Sequence, residues 1–123
     1  MRRRTTVCGL AVYLLVLTFP LAVWGLSPSP WELGENPADF DGQMVTVSGV
    51  VTDLKDRVSR RGNPYFTFGL SDGRTAVSVF SFGTPTCPTG SKATVEGLFH
   101  RVKRLRQSVF LNQIDAARIR CGG

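Results

Sequence analysis

A chain of 123 residues, with 15 lysines and arginines against 9 acidic residues, carries a net charge of +6 and leaves room for one small domain. Its three cysteines and lone histidine make a poor metal set, which excludes a zinc centre, and without a Cys-x-x-Cys pair redox catalysis is unsupported. No Ser-His-Asp set or phosphate-cradling glycine loop can be assembled either, so the chain reads as a binding module without a cofactor and not as an enzyme.

Residues 1–26 stand apart. Arg2, Arg3 and Arg4 precede an uncharged stretch with an apolar heart from Val7 to Phe19, and Val23-Trp24-Gly25 ends it on a small residue. That order of charge, apolar run and cleavage site predicts a secretory signal peptide. Val7 to Trp24 spans 18 residues, within the roughly 17–25 that cross a bilayer, so membrane association through an uncleaved anchor over residues 7–24 is the alternative. Pro20 and the Ser27-Pro28-Ser29-Pro30 linker favour cleavage. Either form places the remainder outside the cytoplasm, periplasmic or secreted, or anchored at the cytoplasmic membrane. Without the leader arginines, 12 basic residues remain against 9 acidic, a net of +3. Four acids, Glu32, Glu35, Asp39 and Asp41, precede the first strand, so from Gly42 onward the balance is 12 basic to 5 acidic.

Residues 27–42 form a Pro-rich, then acidic lead-in with Trp31 and Phe40 available for packing. A short helical turn fits within Trp31 to Asp39, and Gly34 and Pro37 argue against more. The domain proper spans residues 43–121. Met44, Thr46 and Ser48 alternate with Val45, Val47 and Gly49, and the glycine followed by Val50-Val51 predicts a bend or bulge. Thr52 to Gly62 reads as a polar loop. Tyr65 to Leu70 is the second strand, Ser71-Asp72-Gly73 a tight hairpin connection, and Arg74 to Phe82 the third strand. The connection Gly83 to Gly90, with Pro85 and Pro88, leaves no room for a helix of any length. Lys92 to His100 is the fourth strand, again with a central glycine, Gly97. A basic loop, Arg101 to Gln107, leads to a fifth strand around Ser108 to Ile114, and Ala116 to Arg120 ends the chain as strand or irregular structure.

Five short strands, with glycines bending the first and fourth, predict an all-β, five-stranded closed barrel, because closure pairs the edges that an open sheet would leave exposed. Cys8 belongs to the leader, which leaves Cys87 and Cys121 as an even pair in an oxidising compartment and predicts one disulfide.

The order Asp41-Gly42-Gln43 into VTVSGVV, a polar loop, YFTFGLSDG from Tyr65 to Gly73, then VSVF, and Thr89-Gly90-Ser91-Lys92 into ATVEG resembles the OB-fold of the tRNA-anticodon and helicase type. It is most similar to exported bacterial versions with a leader and a single Greek-key barrel, and the resemblance covers about 80 residues. Two features depart from the pattern. The helix usual between strands three and four is replaced by the Pro and Cys connection. The place where nucleic-acid-binding relatives often carry a ligand-face aromatic holds Thr67, and Tyr65 is the nearest aromatic of the same parity.

The resemblance implies a ligand across strands two and three, clamped by the loops joining strands one to two and four to five. The sequence puts charge in both places. Lys55, Arg57, Arg60 and Arg61 lie in the first loop, beside Asp53 and Asp56, and Arg101, Lys103, Arg104 and Arg106 in the second, which holds no acid. Parity assigns Phe66, Phe68, Leu70, Val77 and Val79 to the core. Tyr65 and Thr67 then face outward, as do Arg74, Ser78 and Phe80, with coverage of the barrel's end an equal alternative for Phe80. His100 shows no partner in the sequence.

This set of residues predicts a groove for single-stranded nucleic acid or another polyanion, with cations on the phosphates and aromatics on the bases. The alternative is a periplasmic or envelope domain that binds a partner protein or a small ligand and has no nucleic-acid role.

Overall fold

The computed structural model describes residues 26–122, so the expected leader apart from Leu26, with its cleavage and its membrane span, falls outside the described residues. Two short helices, α1 (Pro30–Glu35) and α2 (Pro37–Phe40), precede five strands: β1 (Met44–Val58), β2 (Pro64–Ser71), β3 (Ala76–Phe82), β4 (Lys92–Leu105) and β5 (Ser108–Cys121). The strands close in the order β1-β2-β3-β5-β4. Every pairing among them is antiparallel except β3 with β5, where Ser78, Val79 and Phe80 run parallel beside Gln113, Ile114 and Asp115. This is the five-stranded Greek-key barrel of the OB-fold.

Alternation builds the interior. Val45, Val47, Val51, Phe66, Phe68, Leu70, Val77, Val79, Ala93, Val95, Phe99 and Ile114 are all buried in one cluster. Phe66 and Phe68 stack there with ring centroids 6.1 Å apart, and the inward places of Val77 and Val79 follow the predicted parity. Of the two strand glycines expected to mark a bend or bulge, Gly97 sits at one and Gly49 does not, since the β1–β4 register runs unbroken from Met44 to Val50 and the β1 bulge falls later, between Thr52 and Lys55. A Cβ on Gly97, beside the register shift between Glu96 and Gly97, would overlap the Asp115 carbonyl oxygen, and one on Gly49 would meet the Ser71 carbonyl oxygen at 2.5 Å.

Both the β3–β4 connection and the lead-in reach the core, the first through Cys87 and the second through Leu33. Ser29 and Glu32 form a capping box: the Glu32 N–H donates to Ser29 Oγ at 3.1 Å and the Ser29 N–H to Glu32 Oε1 at 3.0 Å. Pro30 occupies the first turn, where its missing N–H costs nothing. The helix so started drives Leu33 fully into the core, which contributes roughly 1.5–3 kcal/mol. Pro37, expected to end the helix, instead starts a second one at its own first turn. Leu26, counted with the leader in the sequence reading, is also tied to the sheet, since the Thr46 N–H donates to its carbonyl.

Both expected basic loops are largely strand, which corrects the sequence reading. β1 continues to Val58 past a bulge between Thr52 and Lys55, where Asp53 holds a φ of 51°, so that only Ser59 to Asn63 turns. β4 runs to Leu105, and Arg106 (φ 53°) and Gln107 alone make the reversal into a β5 that extends to Cys121. Polar composition reports exposure to water, and these segments project beyond the barrel wall with both faces partly exposed.

The β2–β3 hairpin turns on Gly73 and Arg74, flanked by Asp72 and Thr75, so Arg74 belongs to the turn and β3 starts at Ala76. Gly73 carries the positive φ, 95°. One Asp72 carboxylate oxygen accepts from the Arg74 and Thr75 N–H groups at 2.9 Å, and the other from the Trp31 N–H at 3.2 Å. The Thr75 and Arg74 amides hold its pKa below the usual carboxylate value of 3.8. A lowered folded-state pKa stabilises the fold above the unfolded value, and that contribution is lost as pH falls through the folded one. Thermal unfolding followed from pH 6 to pH 2 is therefore expected to show a loss of stability below about pH 3.8 that is smaller in Asp72→Ala; identical acid limbs would contradict it.

Cys87 and Cys121 form the predicted disulfide, joining the β3–β4 connection to the end of β5.

Candidate functional site

The outer face of β2 and β3 carries an aromatic row. Tyr65 pairs across the strands with Phe82, and Thr67 with Phe80. The Tyr65 and Phe80 rings are 5.5 Å apart and tilted, and Phe82 meets Phe80 edge-on at 5.0 Å. Phe80 thus faces outward on the sheet and does not cover the barrel's end. Phe82 is 76% exposed, the most exposed aromatic of the row.

The far half of the β4–β5 hairpin forms a wall beside this face. Lys103, Leu105, Phe110 and Gln113 line a groove with Tyr65, Thr67, Phe80 and Phe82, and Lys55, Arg57, Ser59 and Arg60 line it from the β1–β2 side. Its volume is about 660 Å3, within the range of roughly 300–1,000 Å3 typical of ligand sites. At the tips it continues into a cleft between Ser59, Arg60 and Arg61 of the β1–β2 turn and Leu105, Arg106, Gln107 and Ser108 of the hairpin.

The cations differ in what they have left to offer. Lys103 donates to Asp115 Oδ1 at 2.7 Å, with its ammonium 4.5 Å above the centre of the Phe80 ring, and is only 15% exposed. The other Asp115 oxygen lies 3.0 Å from His100 Nε2, so the histidine that lacked a partner in the sequence has one. Lys55 lies 3.6 Å from Asp53. Arg57, Arg60, Arg61 and Arg106 make no ion pair among the described residues, and all are exposed.

Of the expected site residues, Lys55, Arg57, Arg60, Arg61, Tyr65, Thr67, Phe80, Lys103 and Arg106 come together along the groove and its tip cleft. Ser78 borders an adjoining hollow with Thr67 and Lys55. Arg74, Arg101 and Arg104 do not join them. The Arg74 guanidinium stacks over Trp31, 4.9 Å from the ring centre, at the opposite end of β2, about 20 Å from Tyr65 at a strand rise of about 3.3 Å. Arg101 has its backbone N–H bound to Asp41 Oδ1 at 2.8 Å and its side chain outside the groove. Strand alternation puts Arg104 on the hairpin face opposite Lys103.

Sequence reasoning missed Phe82, Leu105, Phe110 and Gln113 as groove residues and Asp115 as the partner of Lys103. Leu105 carried a signal: it is an apolar residue in a segment too cationic to be core.

The molecule is therefore a small OB-fold barrel whose sheet face and hairpin enclose a basic, aromatic groove. No family model and no curated protein matches the chain. Solved structures do. The yeast Stn1 and Ten1 structure aligns with 91% of this chain and 70% of its own at a TM-score of 0.63 and 10% identity, a likeness of fold. A Klebsiella pneumoniae protein described as a nucleic acid-binding lipoprotein aligns over 72% of this chain and 77% of its own at 19% identity, with a TM-score of only 0.48.

Proposed function

We propose that this chain is an exported OB-fold module, of the tRNA-anticodon and helicase type, that binds single-stranded nucleic acid and catalyses no reaction. One observation carries the reading: a single groove joins a row of outward aromatics to arginines that make no ion pair among the described residues. Phosphates need the second and bases the first, and each stacked base contributes roughly 1–3 kcal/mol. Export is supported by the composition of the leader and by the disulfide, which persists in an oxidising compartment.

The test is fluorescence anisotropy of the oxidised protein with a labelled single-stranded oligonucleotide at two salt concentrations. Micromolar binding that weakens steeply with salt is the expected result. No binding at low salt would leave the fold without this function.

A second reading rests on the other face of the β4–β5 hairpin, where Val102 and Leu111 pair across the strands and lie, with Val109, 40–66% exposed. An apolar face of this kind suits an envelope protein partner, either beside or in place of a nucleic-acid ligand.

A further inference from the structure

The β4–β5 hairpin walls the groove with one face only. Lys103 and its cross-strand partner Phe110 lie on that face, and alternation puts Val102, Arg104, Val109 and Leu111 on the other. There Val102 pairs with Leu111 and Arg104 with Val109, and the three apolar members, Val102, Val109 and Leu111, are 40%, 52% and 66% exposed. From Arg101 to Asn112 the chain holds four cations and no acid. The described chain also begins on this side of the barrel. Leu26 runs parallel to β1 at Val45, and β1 starts where Met44 pairs with Leu98, past which β4 continues about 23 Å to Leu105. Leu26 and Met44 are themselves 40% and 51% exposed. In the sequence, the uncharged run from Val7 to Trp24 ends two residues before Leu26, a reach of about 7 Å.

We infer that the outer face of this hairpin docks on an anionic membrane surface. Val102, Val109 and Leu111 enter the boundary between headgroups and acyl chains, and Arg104 meets the lipid phosphates. Apolar side chains set among cations are what an anionic bilayer binds, and the two contributions act together. A protein partner would have to reach well beyond these four side chains, since a stable interface takes roughly 20–30 residues from each side. A second copy of the chain would bring two acid-free hairpins against each other. A membrane has neither requirement, and the start of the described chain argues for it as well: a leader kept as an anchor would hold this end of the barrel beside the bilayer. The groove lies on the hairpin's opposite face, so membrane contact uses other side chains than the nucleic-acid reading does and does not rest on it.

Residues 26–122 close their own barrel around their own core, so the oxidised chain without its leader serves for the test. Co-sedimentation with vesicles of phosphatidylcholine alone, and with about one-third phosphatidylglycerol, is expected to show binding to the second on the order of tenfold tighter. Val102→Ser, Val109→Ser and Leu111→Ser together are expected to unfold at the temperature of wild type and to bind the anionic vesicles about tenfold more weakly. Leu111→Trp is expected to lose fluorescence on anionic vesicles whose acyl chains are brominated, and Trp31 in the unsubstituted chain to keep its own. Equal binding by wild type and the triple serine variant would mean that charge alone holds the protein to lipid, and overturns the docking face. Equal binding to the two kinds of vesicle overturns the part given to Arg104. An unquenched Leu111→Trp also overturns the inference, whether or not the triple variant folds. Binding to neither vesicle overturns it and leaves the face to a protein partner.

Discussion

Replacing Arg57, Arg60, Arg61 and Arg106 together by alanine is expected to remove oligonucleotide binding while leaving the barrel folded. All four are exposed and free of ion pairs among the described residues, so folding loses little. Binding loses its phosphate contacts. If each arginine neutralises one phosphate, the affinity of wild type for a single strand falls with salt at a slope of about −2.8 on logarithmic axes, or about fiftyfold between 50 and 200 mM. The variant is expected to show a slope near zero and at least a hundredfold weaker binding at the lower salt. Arg74→Ala with Arg118→Ala, the latter opposite Glu96 on the β4–β5 pairing, removes charge away from the groove and is expected to bind nearly as wild type does. Equal losses in the two variants would mean that net charge acts and the groove does not.

Loss of the disulfide is the second large effect. Cys87 and Cys121 are separated by 34 positions, and closing a loop of that size restricts the unfolded chain by about 3–4 kcal/mol. Small domains have only about 5–15 kcal/mol in all, so the change removes a large share of it. The double variant Cys87→Ser with Cys121→Ser is expected to unfold at a clearly lower denaturant concentration, as is wild type under reducing conditions. A difference below about 1 kcal/mol would mean that the pairing of Ala93 with Cys121 on β4 and β5 holds the end of the chain unaided.

Strand parity made the barrel legible. Phe66, Phe68 and Leu70 alternate with Tyr65 and Thr67, and period-two patterning needs no tertiary information to sort inside from outside. The mid-strand glycines pointed to closure for the same local reason. The lengths of β1 and β4 were not legible, because Lys55 to Val58 and Arg101 to Leu105 are strands held by their neighbours, with a composition that only records contact with water. Ser29 and Glu32 spelled out a capping box, but the proline and glycine around it hid a helix that gains its place by burying Leu33.

At the site, the arginines of the β1–β2 turn and the outward place of Tyr65 could be read directly, whereas strand parity left Phe80 between the outer face and the barrel's end. The sorting of Arg101, Lys103, Arg104 and Arg106 could not, since it depends on which hairpin face meets the sheet. The pairing of Lys103 and His100 with Asp115 comes from strands that meet only in the folded barrel. Gln113 was hidden beside Asn112, because a polar pair in a strand carries no periodic signal of which member turns inward.

Whether the groove between the β2–β3 face and the β4–β5 hairpin takes single-stranded nucleic acid is best asked by amide chemical-shift mapping. Oligodeoxyadenylate would be titrated into the isotopically labelled, oxidised protein and followed by NMR. The largest shifts are expected at Arg60, Tyr65, Thr67, Phe82, Phe110 and Gln113, with Trp31, Arg74 and Glu96 unmoved. Shifts concentrated at Val102, Val109 and Leu111, or spread evenly over the basic surface, would contradict binding in the groove.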